Sequence, residues 1–353
     1  MFPLGIIALV LGAESLVRGA SKLALSFGIS PLVIGLTVVA FGTSAPETTV
    51  AVSAVLTDQT DIAVGNVVGS NIFNVWFILG LAALIIPLSI NEQVVRQDLP
   101  VMICSSILLL MFVLDQHVSL FESALLFSLL IGYTIFLIVQ SRRLSSALQA
   151  ENTSDIKLSN QEAWDGKLPA QIVLIIVGLA LLILGSQWLV SAATGFARDL
   201  GVSELVIGLT IVAAGTSLPE VAASVSAAIK DERDIAVGNV IGSNLFNILG
   251  CVGAAGLGSG FEGLAIGQAI VNFDIWVMLA ATLVCLPIFF TGREIGRREG
   301  GLFLVSYPAY AGFLILAAQQ HDQLQAYSTI LLYLTIPITI VILIVSFARS
   351  LKK

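Results

Sequence analysis

The sequence predicts an all-α polytopic membrane protein: two inverted five-helix repeats, giving ten core transmembrane helices, plus one extra C-terminal helix. Three observations predict it. Of 353 residues, 57% are hydrophobic and only 11% are charged, with a mean hydropathy of +0.99, whereas a soluble domain carries roughly 25% charged residues. A 44-residue segment recurs at a constant offset of 173 with 29 identical positions. When apolar runs are laid out as spans, 15 of the 16 Lys and Arg residues fall on one side of the membrane.

Apolar runs of about 20 residues cross a hydrocarbon core of roughly 30 Å as helices. Such runs lie near 2–26, 31–56, 62–87, 99–115, 119–140, 170–197, 204–229, 235–258, 270–290, 301–319 and 327–348. The first continues past the size of a signal-peptide core with no basic residue ahead of it, so it reads as a retained span. Cytoplasmic loops are enriched in Lys and Arg; with Arg198 alone on the opposite side, the amino terminus is expected outside and the carboxyl terminus in the cytoplasm. The chain divides into a first repeat over 1–140, a cytoplasmic linker over 141–168 that reads as mobile, a second repeat over 169–319, and an added helix with a basic end over 320–353. Cys104, Cys251 and Cys285 all fall inside spans and read as small apolar packers rather than a disulfide framework. The formal charge of −7 argues against a nucleic-acid partner; the bilayer is the partner that the composition demands.

The repeat runs from Pro31 to Asn74 and again from Glu204 to Asn247, and a weaker echo pairs Leu11–Val17 with Leu184–Val190. Five spans separate equivalent helices. Five is odd, so the second copy must lie upside down relative to the first. Inverted repeats are a recurring plan of secondary transporters, which hold substrate near the midplane where the copies meet.

Each copy places Gly-Thr-Ser-x-Pro-Glu in mid-span, as Gly42 to Glu47 and Gly215 to Glu220. A carboxylate at that depth costs several kcal/mol unless it faces a polar interior or a cation, so Glu47 and Glu220 mark a functional site. Thr43 and Ser44 stand i,i+4 and i,i+3 from Glu47, which on a regular helix aligns hydroxyl and carboxylate oxygens on one face; Thr216 and Ser217 repeat the spacing. Pro46 and Pro219 lack the N–H that would bond the carbonyls of Gly42 and Gly215, so both helices should break there. Carbonyls freed at midplane are tolerated where they line a cavity or bind something. The next span of each copy supplies Asn66, Ser70 and Asn74, or Asn239, Ser243 and Asn247, at successive i,i+4 positions. Gly65 with Gly69, and Gly238 with Gly242, form small faces that let this helix approach its neighbour. For Asn66, Asn71, Asn239 and Asn244, packing and ligation both remain open. The donors are all oxygen, which suits hard cations such as Ca2+, a taker of about 6–8 oxygens. Two Glu charges neutralise one Ca2+, and Na+ or protons could compete for the same groups. Glu14 and Arg18, four apart, read as a local salt bridge, and Asp61 and Asp234 as helix caps, with attraction of cations at the outer mouth as a second reading of Asp61.

The paired GTSAPE and GTSLPE, each followed by GNVxGSN, resemble the two alpha repeats of the Ca2+/cation antiporter superfamily, most of all its prokaryotic Na+/Ca2+ exchangers. The resemblance implies Ca2+ binding by Glu47, Glu220, Thr43 and Thr216. It implies Na+ sites completed by Ser44, Ser217, Ser70, Ser243 and the carbonyls of Ala40 and Ala213, with Asn74 and Asn247 at the central position. It further implies a secondary antiporter that exchanges Ca2+ for Na+ by alternating access, in a prokaryotic plasma (inner) membrane, with no resident cofactor and no enzymatic chemistry. Some branches carry Asp at one central position; both are Asn here, which favours a potassium-independent exchanger. In the family the long first and sixth helices slide across the core, and Gly12, Gly19, Gly185 and Gly195 in those spans motivate the same expectation here. The alternative within transport is a H+/Ca2+ antiporter. An intramembrane hydrolase built on Ser44 or Ser217 lacks a base, since His117 and His321 lie in outer loops. A passive cation channel is harder to dismiss from sequence, though inverted repeats and broken helices favour alternating access; flux measurements separate the two, because a channel needs no counter-ion.

Overall fold

The computed structural model describes residues 1–151, 164–202, 204–290, 292–331 and 333. Among the described residues eight helices are long and apolar enough to cross a membrane, and two bent helix pairs, each taken as one span, bring the number to ten. In chain order the ten spans are Phe2–Phe27, Pro31–Thr43 with Ala45–Leu56, Thr60–Ile85, Val94–Val113, Leu120–Arg143, Leu168–Asp199, Thr210–Thr216 with Leu218–Ile229, Arg233–Glu262, Ile270–Phe290 and Arg297–Ala318. The eleventh span expected over 327–348 lies almost wholly outside the described residues; only the short helix Leu324–Ile330 at its start is described.

Two described elements fall within the expected linker over 141–168. The fifth helix runs on to Glu151, and a short turn at Trp164–Gly166 is anchored on the first span. Arg18 Nη2 lies 2.7 Å from Asp165 Oδ2, and this guanidinium holds the Asp165 carboxyl below the usual carboxylate range. Residues 152–163 lie outside the described residues. Beside the Glu14–Arg18 spacing noted in the sequence, the structure shows longer reaches: Arg18 to Asp165, and Glu14 to Lys230 at 3.2 Å.

The first and sixth spans, the leading helices of the two repeats, pack antiparallel through glycine. A Cβ at Gly5 would stand 2.9 Å from the carbonyl of Gly185, and one at Gly12 would stand 2.8 Å from that of Gly178. Gly19 faces Gln171 and Leu174 at similar range. Glycines spaced by seven stay on one helical face, and their lack of a side chain lets two backbones touch. Antiparallel leading helices are what inversion of the second copy requires. Gly195, grouped with this set on sequence, has open space around it, while Gly5 and Gly178 complete the seam.

Two short ribbons tie the loops at the ends of the bundle. Leu88–Ser89 pairs with Glu294–Ile295 at the end that carries Arg293, and His117–Val118 pairs with Leu264–Ala265 at the other. Inside, buried Asp98 accepts a hydrogen bond of 2.5 Å from Tyr133, joining spans four and five. Asp274 accepts one of 2.8 Å from Tyr310, joining spans nine and ten. These are repeat-related ties, invisible to the 173-residue offset because the outer helices diverge in sequence and length.

Candidate functional site

The second and seventh spans bend by 45° and 57°, at Ser44 and Ser217. Pro46 and Pro219 then occupy the first turn of the following half-helix, where a missing N–H costs nothing. Each bend delivers a glutamate in the first turn of a half-helix, whose free N–H groups favour negative charge. Both glutamates are buried to within 1% of full exclusion from solvent.

The bend also rewrites the expected geometry. A straight helix would align Ser44 with Glu47; instead Ser44 Oγ donates to Glu220 Oε1 at 3.0 Å, and Ser217 Oγ donates to Glu47 Oε1 at 2.9 Å. Thr43 likewise lies beside Glu220 and Thr216 beside Glu47. Each repeat therefore steadies the other's carboxylate. Ser70 Oγ lies 3.3 Å from Ser217 Oγ. The third and eighth spans each carry a π-helical turn, Asn74–Leu79 and Phe246–Cys251, a distortion frequent at functional sites. Asn74 opens the first of these, and Asn247 lies one residue into the second.

Among the described residues, four buried oxygens of the candidate ligands have no hydrogen-bond partner: Glu47 Oε2, Glu220 Oε2, Asn74 Oδ1 and Ser243 Oγ. A buried unpartnered polar atom costs about 1–3 kcal/mol, more when charged. Among the described residues no Lys, Arg or His forms an ion pair with either glutamate. No group of three His, Cys, Asp or Glu residues is present there either, so what converges is a carboxylate pair completed by neutral oxygens. That donor set fits a hard cation.

The two halves of the site differ in cover. On the half nearer Lys230, Thr43 and Ala40 are fully buried, and Thr43 donates to Asn239 Oδ1 at 3.2 Å. Asn239 in turn donates to Ser224 at 2.8 Å. There a Cβ on Gly242 would stand 2.6 Å from the carbonyl of Leu36, and one on Gly35 would stand 2.9 Å from that of Ile235. The equivalent glycines of the other half, Gly69 and Gly208, meet nothing within 4 Å among the described residues. Its Thr216 is half-buried and Ala213 exposed, while the Thr216 hydroxyl donates to the Ala213 carbonyl at 3.4 Å just as that of Thr43 does to the Ala40 carbonyl. Ser224 has Ala51 as its counterpart, so Asn66 lacks the partner that Asn239 has and keeps an unpartnered Nδ2. The site is sealed toward the basic end of the bundle and less covered toward the end carrying Asp61 and His117.

Two further expectations change. Cys285 and Cys251 are buried while Cys104 is exposed, and Cys251 is more than a packer: its thiol contacts Thr48 Oγ1 at 3.2 Å and Asn247 Oδ1 at 3.6 Å. Asp61 and Asp234 lie within the first turns of their helices, while the capping positions belong to Gln59 and Glu232.

Fold and site together define a membrane ion antiporter built on an inverted repeat. The family model for sodium/calcium exchanger protein matches residues 1–139 and 170–316. The putative antiporter CaxA of Alkalimonas amylolytica is 37% identical over 318 residues, which cover 87% of this chain and 95% of its own. The sodium/calcium exchanger MaX1 of Methanosarcina acetivorans is 34% identical over 340 residues, covering 87% and 95%. The solved structure of the sodium-calcium exchanger NCX_Mj soaked with 2.5 mM Na+ and 0.1 mM Ca2+ aligns with a TM-score of 0.72 at 32% identity, over 90% of this chain and 96% of that one. The chain belongs to the sodium/calcium exchanger family.

Proposed function

We propose that this chain is a secondary active antiporter, not an enzyme, that exchanges Ca2+ for Na+ by alternating access around Glu47 and Glu220, with no resident cofactor. The observation that carries this reading is the set of four buried oxygens without partners among the candidate ligands of the two repeats. In this reading Thr43, Thr216, Ser44, Ser217, Ser70, Asn247 and the carbonyls of Ala40 and Ala213 complete the ion positions as each half closes. Two carboxylates balance the charge of one Ca2+. When Na+ replaces it, the neutral oxygens of Ser243 and Asn74 offer positions that a proton on a carboxylate would leave empty, which favours Na+ over H+ as the counter-ion. The test is 45Ca2+ uptake into proteoliposomes loaded with Na+, compared with liposomes given only a pH gradient. Na+-driven uptake is expected; uptake driven by the pH gradient alone would make the chain a H+/Ca2+ antiporter.

The basic end of the bundle faces the cytoplasm of a prokaryotic cell in this reading, which places both described halves of the site in an outward-facing arrangement. In a cysteine-free background, a single cysteine at Asp61 should react with a membrane-impermeant maleimide added to intact cells. One at Asp231 should react only after lysis, and the reverse pattern would invert the orientation.

A further inference from the structure

Resting on the cation-site reading above, we propose that Asn71 and Asn244 are positioning residues that fix which atom the amides of Asn247 and Asn74 turn toward the ion. A side-chain amide has a donor end and an acceptor end of nearly the same shape, and only the oxygen end can ligate a cation. Nothing in the shape of the cavity decides between them; hydrogen bonds must.

The bonds run as two crossed relays. Asn71 Nδ2 donates to the backbone carbonyl of Asn244 at 3.3 Å and contacts Met278 Sδ at 3.6 Å. A carbonyl oxygen and a thioether sulfur both accept and never donate, so this end of Asn71 must be its NH2. Its Oδ1 is thereby aimed the other way, where it accepts from Asn247 Nδ2 at 3.1 Å. Asn247 spends its donor end on this bond, which leaves Oδ1, contacted by the Cys251 thiol at 3.6 Å, as the end available to a cation. The second relay repeats the logic through the inverted copy. Asn244 Nδ2 contacts Met102 Sδ at 3.5 Å, and Asn244 Oδ1 accepts from Asn74 Nδ2 at 3.1 Å. Asn74 Oδ1 is then left buried without a partner.

All four asparagines are at least 98% buried, as are Met102 and Met278, so water cannot substitute for a lost partner. Each relay starts on an outer helix, the fourth or ninth span, passes through one repeat and ends on a candidate ligand of the other. Sequence shows Asn71 and Asn244 beside the glycine faces but not which way their amides point; the Asn244 carbonyl with Met278 sets that direction for Asn71, and Met102 sets it for Asn244.

The test uses purified full-length protein in detergent and in proteoliposomes, with saturable binding of 45Ca2+ and of 22Na+ measured on the wild type first. Whichever cation saturates serves as the probe: binding of Na+ without Ca2+ overturns the Ca2+ reading while the relay remains testable, and saturation by neither refutes both. Asn71→Ala should raise the apparent KM for the probe about 10-fold, the scale typical for partners that orient a metal ligand, with a smaller change in maximal rate. In an Asn247→Asp background both terminal atoms of residue 247 are oxygens, orientation no longer matters, and Asn71→Ala should raise KM less than 2-fold. An equal penalty in both backgrounds would show that Asn71 only fills space and would overturn the proposal. Met102→Leu, which keeps the volume and removes the acceptor, should also raise KM with an unchanged Tm; an unchanged KM would remove the sulfur from the relay.

Discussion

Replacing Glu47 or Glu220 by Gln is expected to reduce Na+-driven 45Ca2+ uptake to the level of empty liposomes. The two carboxylates carry the whole formal charge at the centre, and among the described residues no cation is paired with them. At an effective dielectric constant near 20, a divalent ion about 2.4 Å from a carboxylate oxygen gains on the order of 10 kcal/mol of gross attraction. Most of that offsets dehydration of the ion, so losing one carboxylate removes the margin for binding. Stability should move the opposite way. A buried charge without a partner penalises the empty protein, so each Gln variant should melt at a higher temperature than the wild type in ion-free buffer. The wild type should gain about 2.7 kcal/mol from Ca2+ at 100 times its Kd, and the variants should gain nothing. A Gln variant that transports normally, or that keeps a full Ca2+-induced shift in Tm, would remove the glutamate pair from the mechanism.

How much of this was legible in the sequence depends on how local each cause is. The glutamates were visible because a carboxylate in the middle of an apolar span needs a reason, and the inversion was visible because two 44-residue copies lie an odd number of spans apart. The breaks at Ser44 and Ser217 followed from Pro46 and Pro219. The consequence of those breaks was not legible: periodicity assigns Ser44 to the face of Glu47, whereas a 45° bend hands it to Glu220. Partners across repeats are set by how two helices cross, which no spacing within one helix encodes. The same reason hid the glycine seam. Gly5 and Gly178 look like any glycine in an apolar run until a carbonyl of the facing helix stands 2.9 Å from where their side chains would begin. Asp98 and Asp274 escaped notice because they stand near span ends, where a carboxylate raises no alarm, and only the tyrosines of neighbouring helices reveal them as a matched pair.

The seam leads to the second large effect, which concerns motion. Backbone contact from Gly5 to Gly19 makes the first and sixth spans one body, and the docked turn at Asp165 travels with that body because it leads directly into the sixth span and holds Arg18. Contacts from this pair to the rest of the protein are of another kind. Ser21 Oγ donates to Glu232 Oε1 at 2.6 Å and Lys230 reaches Glu14 at 3.2 Å, both in the loop that joins the seventh and eighth spans at the sealed end. Exchanging the conformations of the two repeats would transfer these contacts to the opposite end, where the counterparts of Ser21 and Glu232 are Thr194 and Gln59. The Thr194 hydroxyl is buried and unpartnered in the present arrangement, as a group whose partner arrives only in the other state would be. Sliding of the pair therefore has to break the Ser21–Glu232 contact. In a cysteine-free background, bridging cysteines at Ser21 and Glu232 with a short bis-thiosulfonate reagent should stop exchange almost completely, and reductant should restore it. Bridging cysteines at Arg18 and Asp165 should leave exchange intact, since both ends belong to the moving body. Full transport through the first bridge would show that the two long helices stay fixed while ions cross, and a block by the second bridge alone would place the hinge between the linker and the first span.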